Sequence, residues 1–311
     1  MKKELMNKKM LSWIALMVFL GCTSIKAQDT VSQKNTADTV QTEINSMHLR
    51  PVLLKKGVFL TSLSIDLPHY YKWYSPKTEK PEKLSSKLVM NEAYFTGYAT
   101  YGLSDRINLF LTLPVVTIHH YSPMGIKSGT GFGDIETGAD FGLVPLEKDN
   151  CNSLSGRITV GFPTGRYKNL SKTEYPTGLG SFRFQGTLSG LHRFKKVDMI
   201  YAAYYEYRTN HSGMHVGDET GAYLLFQKSF PTTVGNFGLE TGAYTYWQFK
   251  NTKNGKEVPN SEDYAIDLYV GGWYHYLKNF YLRFCVPYSI YQNQAWITKY
   301  QVKIQFDYLF K

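Results

Sequence analysis

The chain has 311 residues, a formal net charge of +10 and a mean hydropathy of −0.32. This hydropathy excludes a bundle of apolar membrane helices, and 25 tyrosines beside 26 glycines are unusual for a soluble enzyme. The basic residues are scattered through turns and loops, whereas nucleic-acid binding needs them gathered on one face. We therefore expect no nucleic-acid partner.

The first 27 residues predict a secretory signal peptide. Four lysines within residues 1–9 precede an apolar run over residues 10–20, and Ala27 stands at the expected cleavage point. The run is shorter than the about 20 apolar residues of a membrane-spanning helix. An alternative is a lipoprotein cleavage box ending at Cys22, which would acylate that cysteine.

The mature chain is predicted to begin with a polar periplasmic leader at residues 28–55, which has too few apolar residues to fold alone. Removal of residues 1–27 takes away five lysines and one glutamate and lowers the formal charge to +6. Cys151 and Cys285 remain, and their wide separation predicts free thiols without a disulfide framework.

From residue 56 to the C-terminus, apolar and polar residues alternate with a period of two. In the last segment, Val302, Ile304 and Phe306 alternate with Lys303 and Gln305. Successive side chains of a strand point to opposite faces, so one face is apolar and the other mostly polar. A soluble β-sandwich would show the same alternation and is the alternative fold.

The alternation predicts about twelve strands, near residues 57–67, 88–103, 107–118, 132–144, 153–163, 180–194, 198–209, 219–229, 235–249, 263–276, 280–291 and 298–310. Tight turns such as 104–106 alternate with long connections such as 68–87 and 164–179. This rhythm is typical of membrane barrels, which have short periplasmic turns and longer outer loops. We predict an all-β, antiparallel transmembrane β-barrel over residues 56–311 in the bacterial outer membrane.

A charged side chain facing lipid at the bilayer midplane costs about 2–4 kcal/mol for a basic residue, so the charged residues of the strands are predicted to face the lumen. These lumen-facing candidates are Glu92, Asp134, Glu136, Asp140, Arg157, Arg183, Glu206, Glu240, Asp267, Arg283, Lys303 and Asp307. Opposite charges across a narrow barrel would also pair with one another, so selectivity and barrel stability are both open as their role.

Four segments resemble a known family of outer-membrane barrels. They are Tyr-Gly-Leu-Ser-Asp-Arg-Ile-Asn-Leu at 101–109, Gly-Phe-Gly-Asp-Ile-Glu-Thr-Gly at 131–138, Phe-Pro-Thr-Gly at 162–165 and Pro-Thr-Gly-Leu-Gly-Ser at 176–181. The sequence is similar there to the barrels grouped under the meta-pathway of phenol degradation, which more distantly resemble fatty-acid and aromatic-hydrocarbon channels. The resemblance implies passage of small, often apolar compounds.

Other chemistry is disfavoured by context. The glycine-rich stretch 129–134 does not open a helix, as a dinucleotide fingerprint must. His211 and His215, with Met214 and Asp218, offer a loop in which two histidines are more simply solvated than metal-bound. No serine and histidine recur near one barrel rim with a third residue to orient them, as nucleophilic catalysis requires. We expect no catalytic, metal-binding or cofactor-binding residues and no cofactor.

The predicted function is passive passage of small compounds, hydrophobic or aromatic ones included, through a narrow lumen. About twelve strands lies between small filled barrels and the sixteen-stranded porins. The predicted partners are outer-membrane lipid, an unidentified small solute and the barrel-assembly machinery. The alternatives are a structural or adhesion barrel with a blocked lumen and an outer-membrane hydrolase.

Overall fold

The computed structural model of the protein describes residues 53–75, 80–84, 89–122, 125–144, 152–194, 197–211, 213–233, 235–259, 261–276, 279–293 and 296–310. The predicted signal peptide, Cys22, Cys151 and most of the predicted leader lie outside these residues. In the described part of the chain, no helix has the length and hydropathy needed to cross a membrane.

Twelve long strands follow one another along the chain. They are β1 (Phe59–Ser75), β2 (Val89–Ser104), β3 (Ile107–Ser122), β4 (Glu136–Val144), β5 (Asn152–Gly161), β6 (Arg183–Phe194), β7 (Val197–Arg208), β8 (Glu219–Pro231), β9 (Gly235–Gln248), β10 (Asp263–Tyr276), β11 (Phe280–Asn293) and β12 (Trp296–Phe310). Each pairs antiparallel with its neighbours in sequence, and β12 pairs with β1. The sheet therefore closes on itself without free edges, which confirms the predicted twelve-stranded barrel.

Several strands extend beyond the predicted limits at the end of the barrel that carries the long loops. The predicted connection at 68–87 contains the end of β1 and a short strand, Lys80–Lys83, that pairs with it. Gly125–Phe132 pairs with the end of β3, where a loop was predicted. Its paired partners on β3, residues 115–122, begin with Val-Val-Thr-Ile, and such β-branched residues favour strand pairing.

The alternation of side chains sorts the barrel into two faces. On β5, Thr159 and Ser155 are buried, whereas Ile158 is 59% exposed in the isolated barrel. On β10, Trp273 is buried and Val270 is 63% exposed. Large apolar side chains thus cover the outside, and most of the buried polar side chains lie on the strand positions that face inward. This arrangement is the inverse of a soluble protein and suits a barrel surrounded by lipid.

Candidate functional site

The barrel interior holds most of the charged strand residues, and the first ion pair joins β4 to β5. Arg157 donates from Nε to Asp140 Oδ1 at 2.6 Å, and Asn108 on β3 lies 3.4 Å from the same carboxylate. The Arg157 guanidinium also lies over the Phe110 ring, 4.4 Å from its centroid. Asp140 is fully buried, so the arginine supplies the charge compensation that burial demands.

A second ion-pair network runs along β4, β6, β7 and β8. Arg183 contacts Glu136 at 2.7 Å and Glu206 at 3.6 Å. Arg208 contacts Glu206 at 2.6 Å and Glu219 at 2.8 Å, so both arginines share one carboxylate. Three acidic and two basic groups alternate in this chain, which compensates most of the buried charge within the wall itself.

A third pair joins strands that are not neighbours. Arg283 on β11 donates from Nε and Nη2 to the two Glu240 oxygens on β9, at 2.8 and 3.0 Å, and the Tyr269 hydroxyl donates to Glu240 at 2.7 Å. Gly271 is the residue of β10 opposite both Glu240 and Cys285. A Cβ at Gly271 would lie 2.9 Å from Glu240 Oε1, so the absent side chain leaves the arginine its path across β10.

A glycine has the same role in the second ion-pair network. Gly161 on β5 stands opposite Glu136 on one side and Arg183 on the other. A Cβ there would lie 2.9 Å from Arg183 Nε. Inward-facing glycines therefore let two arginines reach carboxylates two strands away.

In the wall formed by β10–β12, β1 and β2, most of the described carboxylates accept hydrogen bonds from neutral groups instead of pairing with arginines. Lys303 pairs with Asp66 at 3.1 Å, but three other carboxylates have neutral donors. Ser289 donates to Asp267 at 2.6 Å and Gln305 to Asp307 at 2.5 Å. Tyr70 and Tyr94 both donate to Glu92 Oε2, at 2.6 and 2.5 Å.

Asp134 has a structural setting unlike the other predicted residues. It precedes β4 and accepts the backbone N–H groups of Gly165 and Leu179, at 2.9 and 2.8 Å. Thr164 donates to the Gly133 carbonyl and Thr177 to the Phe132 carbonyl. Three of the segments that carry the family resemblance thus meet in one hydrogen-bonded knot, which anchors the long loop at residues 162–182.

Two further outer loops join each other. Met214 and His215 pair with Thr252 and Lys253 to make a small separate sheet, which the Lys256–Glu257 strand completes. His215 lies 3.5 Å from Asp218, and His211 packs edge-on against Tyr167. Within the described ranges, no group of three metal-ligating side chains is present.

The opposite end of the barrel is narrowed by the segment before β1. The Leu54 N–H donates to Asn108 Oδ1 at 3.0 Å, and the Leu54 side chain is buried with Leu60, Tyr281 and Leu309. The carbonyl oxygen of Lys55 lies against the inward-facing Gly102, where a side chain would collide with it. Leu54 therefore packs inside this end of the barrel while residues 55–57 are exposed, although the sequence predicted residue 54 to belong to the polar leader at 28–55.

The structure brings most predicted charges together, yet several of their partners were missed. Asp66 has the same inward alternation as the predicted residues and could have been found by it. Arg208 and Glu219 stand at strand ends beside a predicted loop, where alternation is too brief to assign a face. Asn108 was missed because an uncharged polar residue gives no strong signal against lipid exposure.

Solved outer-membrane barrels have a similar fold. The COG4313 outer membrane channel from Pseudomonas putida F1 gives a TM-score of 0.68 at 13% identity, covering 83% of this chain and 97% of the channel. The translocator domain of autotransporter NalP from Neisseria meningitidis gives 0.46 at 9% identity, covering 88% and 97%. The NanC porin gives 0.42 at 10% identity, covering 79% and 98%. No curated protein matches the sequence.

Residues 88–306 match the family model described as "Putative MetA-pathway of phenol degradation". This match covers more than half of the chain and includes all four segments in which the resemblance was seen. With the closed barrel and its apolar outer face, it places the protein in the bacterial outer membrane. The chain belongs to the family of the MetA-pathway of phenol degradation.

Proposed function

We propose that the barrel lets small solutes cross the outer membrane passively through its lumen. The observation that carries this proposal is the polar interior, where ion pairs such as Asp140–Arg157 and Glu240–Arg283 line the wall across the membrane. A barrel built only as a membrane anchor could fill its interior with apolar side chains at lower cost, because buried ion pairs rarely add stability over apolar packing.

Small organic solutes, aromatic ones included, fit this interior best. Tyr98, Tyr204, Tyr223, Tyr244 and Tyr269 occupy inward positions on five strands. Their rings offer apolar faces for stacking and their hydroxyls offer hydrogen bonds, so one wall can contact both parts of an amphipathic solute. Membership of a family described by phenol degradation is consistent with such solutes.

A scaffold or adhesion barrel with a blocked lumen is the second candidate. Leu54 is buried at one end of the barrel, and Leu191, Ile200 and Leu225 form an apolar cluster against which Tyr223 and Tyr269 pack. If residues 53–58 stay in place, the passage beside them is narrow. A blocked lumen would require this segment to stay in place.

Liposome swelling separates the two candidates. Proteoliposomes with the folded barrel should swell in small uncharged solutes such as arabinose and phenol-sized alcohols, and deletion of residues 53–57 should raise the rate for larger sugars. Leu109→Ala, on the lipid-facing surface, is the matched control and should leave the rates unchanged. Swelling of neither the full barrel nor the deletion variant, with both folded, would favour the scaffold.

The signal peptide at residues 1–27, the leader at 28–55 and the barrel at 56–311 form the proposed order of the precursor. Delivery to the barrel-assembly machinery follows from export of an outer-membrane strand protein. N-terminal sequencing of protein from outer membranes should give Gln28 as the first residue. A blocked, lipid-modified N-terminus at Cys22 would instead establish the lipoprotein alternative.

A further inference from the structure

The inward-facing arginines of the barrel are already neutralised by carboxylates. Arg157, Arg183 and Arg208 pair within β4–β8, and Arg283 pairs with Glu240. Arg193 pairs with Asp198 at 2.9 Å. A solute anion entering the lumen would have to break one of these contacts to bind an arginine.

On the other wall Lys303 pairs with Asp66, but three other carboxylates have no such ion pair among the described residues. Over the described ranges, Glu92, Asp267 and Asp307 have no basic nitrogen within 4.0 Å, and the donors that contact them are hydroxyls and an amide. An uncompensated charge inside a low-dielectric wall sets the sign of the local potential. In an open lumen, such a wall would attract cations more strongly than anions.

Glu92 has the most developed surroundings of the three. It lies on β2 in the same inward set as the buried Met90 and Thr100, and it is only half-buried. Both tyrosine hydroxyls donate to Oε2, so neither bond occupies Oε1. A carboxylate that accepts from two tyrosine hydroxyls offers a cation an opposite charge beside two aromatic side chains.

The long loop at residues 162–182 brings a third tyrosine towards this site. Tyr175 contacts His120 Nδ1 through its hydroxyl at 2.6 Å, and β3 pairs with β2 so that Ile118 stands opposite Glu92. Burial raises the pKa of Tyr175, and the negative charge of Glu92 raises it further. Lys127 lies over the Tyr175 ring, 5.9 Å from its centroid.

We propose that the lumen prefers cationic solutes and that Glu92, with Tyr70 and Tyr94, forms a binding site for a small organic cation such as a substituted ammonium ion. This preference rests on the proposed function, because only a conducting lumen can select. The tyrosine hydroxyls orient the carboxylate, the rings contact the alkyl groups of the cation, and the carboxylate supplies the opposite charge.

Reversal potentials in a KCl gradient across a planar bilayer test the preference. The wild-type barrel should show a potential of the sign that K+ permeation gives, and Glu92→Gln should lower the K+ to Cl− permeability ratio by about fivefold, the effect of one unit charge at about 4 Å in water. Glu257→Gln is the matched control, because it makes the same change on an exposed loop residue paired with Lys250. A conducting barrel with a zero or anion-selective potential overturns the proposal while leaving passage intact.

Tetramethylammonium chloride tests the site itself. Its addition should reduce the K+ current of the wild-type barrel in a saturable way, and Glu92→Gln should lose this block while Glu257→Gln keeps it. Equal block of the wild-type and Glu92→Gln barrels would overturn the assignment of the site. Absence of any current from folded barrels would refute the proposed function, and the selectivity with it.

Discussion

Charges on the wall formed by β4–β9 and on the wall formed by β10–β12, β1 and β2 are stabilised in different ways. In the first wall, carboxylates such as Asp140 and Glu206 contact arginines. Glu240 also contacts an arginine, Arg283, which extends to it from β11. In the second wall, Asp267 and Glu92 contact neutral hydroxyls. The first wall is built to hold its charges in place, and the second leaves its charge available to a solute.

Loss of a paired arginine should have the largest effect on stability. Arg283→Gln leaves Glu240 buried with Tyr269 but without an opposite charge, and breaking such a pair costs about 3–5 kcal/mol. Urea unfolding of the barrel in detergent, followed by tryptophan fluorescence, measures the change. A loss below about 1 kcal/mol would show that the pair is solvated and that the contrast between the walls is wrong.

The second-largest loss of stability should come from filling the space at Gly271, over which the Arg283 side chain passes. Gly271→Ala would place a methyl group against Glu240 Oε1 and Cys285 Cβ, and overpacking of this kind costs about 1–3 kcal/mol. Gly186→Ala is the matched control, because a Cβ there meets open space on the outer face. Equal unfolding midpoints for the two alanine variants would contradict the role given to the glycine.

Release of the long outer loop should lower the free energy of unfolding by a similar or smaller amount. Asp134→Ala removes the acceptor of two backbone N–H groups, each worth about 0.5–1.5 kcal/mol. Trypsin should then cut at the exposed Arg166 and Lys168 faster than in the wild type, while the barrel stays folded. Unchanged cleavage would mean that the threonine contacts alone hold the loop.

Neutralising an unpaired carboxylate should have the smallest effect on stability. Asp267→Asn keeps an acceptor for the Ser289 hydroxyl and removes a charge that has no ion pair in the described part of the chain, so we expect a change within about 1 kcal/mol. The same variant should lower the cation preference. A large destabilisation would place Asp267 in the class of the paired charges.

Alternation was sufficient to predict the barrel and most of its inward charges, because the side-chain period of a strand is a local property. The ion-pair partners of these inward charges were not predictable in the same way. Glu240 meets Arg283 across β10 only because Gly271 is the residue between them, and that depends on the register of three strands. The knot at Asp134 was missed for the same reason, since its donors lie more than 30 residues away in sequence.

The packing of Leu54 inside the barrel was also not predictable from the sequence. Leu53 and Leu54 are adjacent and are followed by two lysines, so they show no period of two, and Leu54 is buried in an apolar recess formed with Leu60, Tyr281 and Leu309. Such a recess is a product of the closed barrel. The prediction of a polar leader at residues 28–55 did not include the packing of Leu54 inside the barrel.

Single-channel recording from the folded, full-length mature barrel in a planar lipid bilayer tests the central claim most directly. Passage through the lumen predicts discrete current steps that grow in proportion to voltage and to salt concentration. A flat baseline contradicts it, provided that the same preparation migrates as a folded, heat-modifiable barrel on a gel.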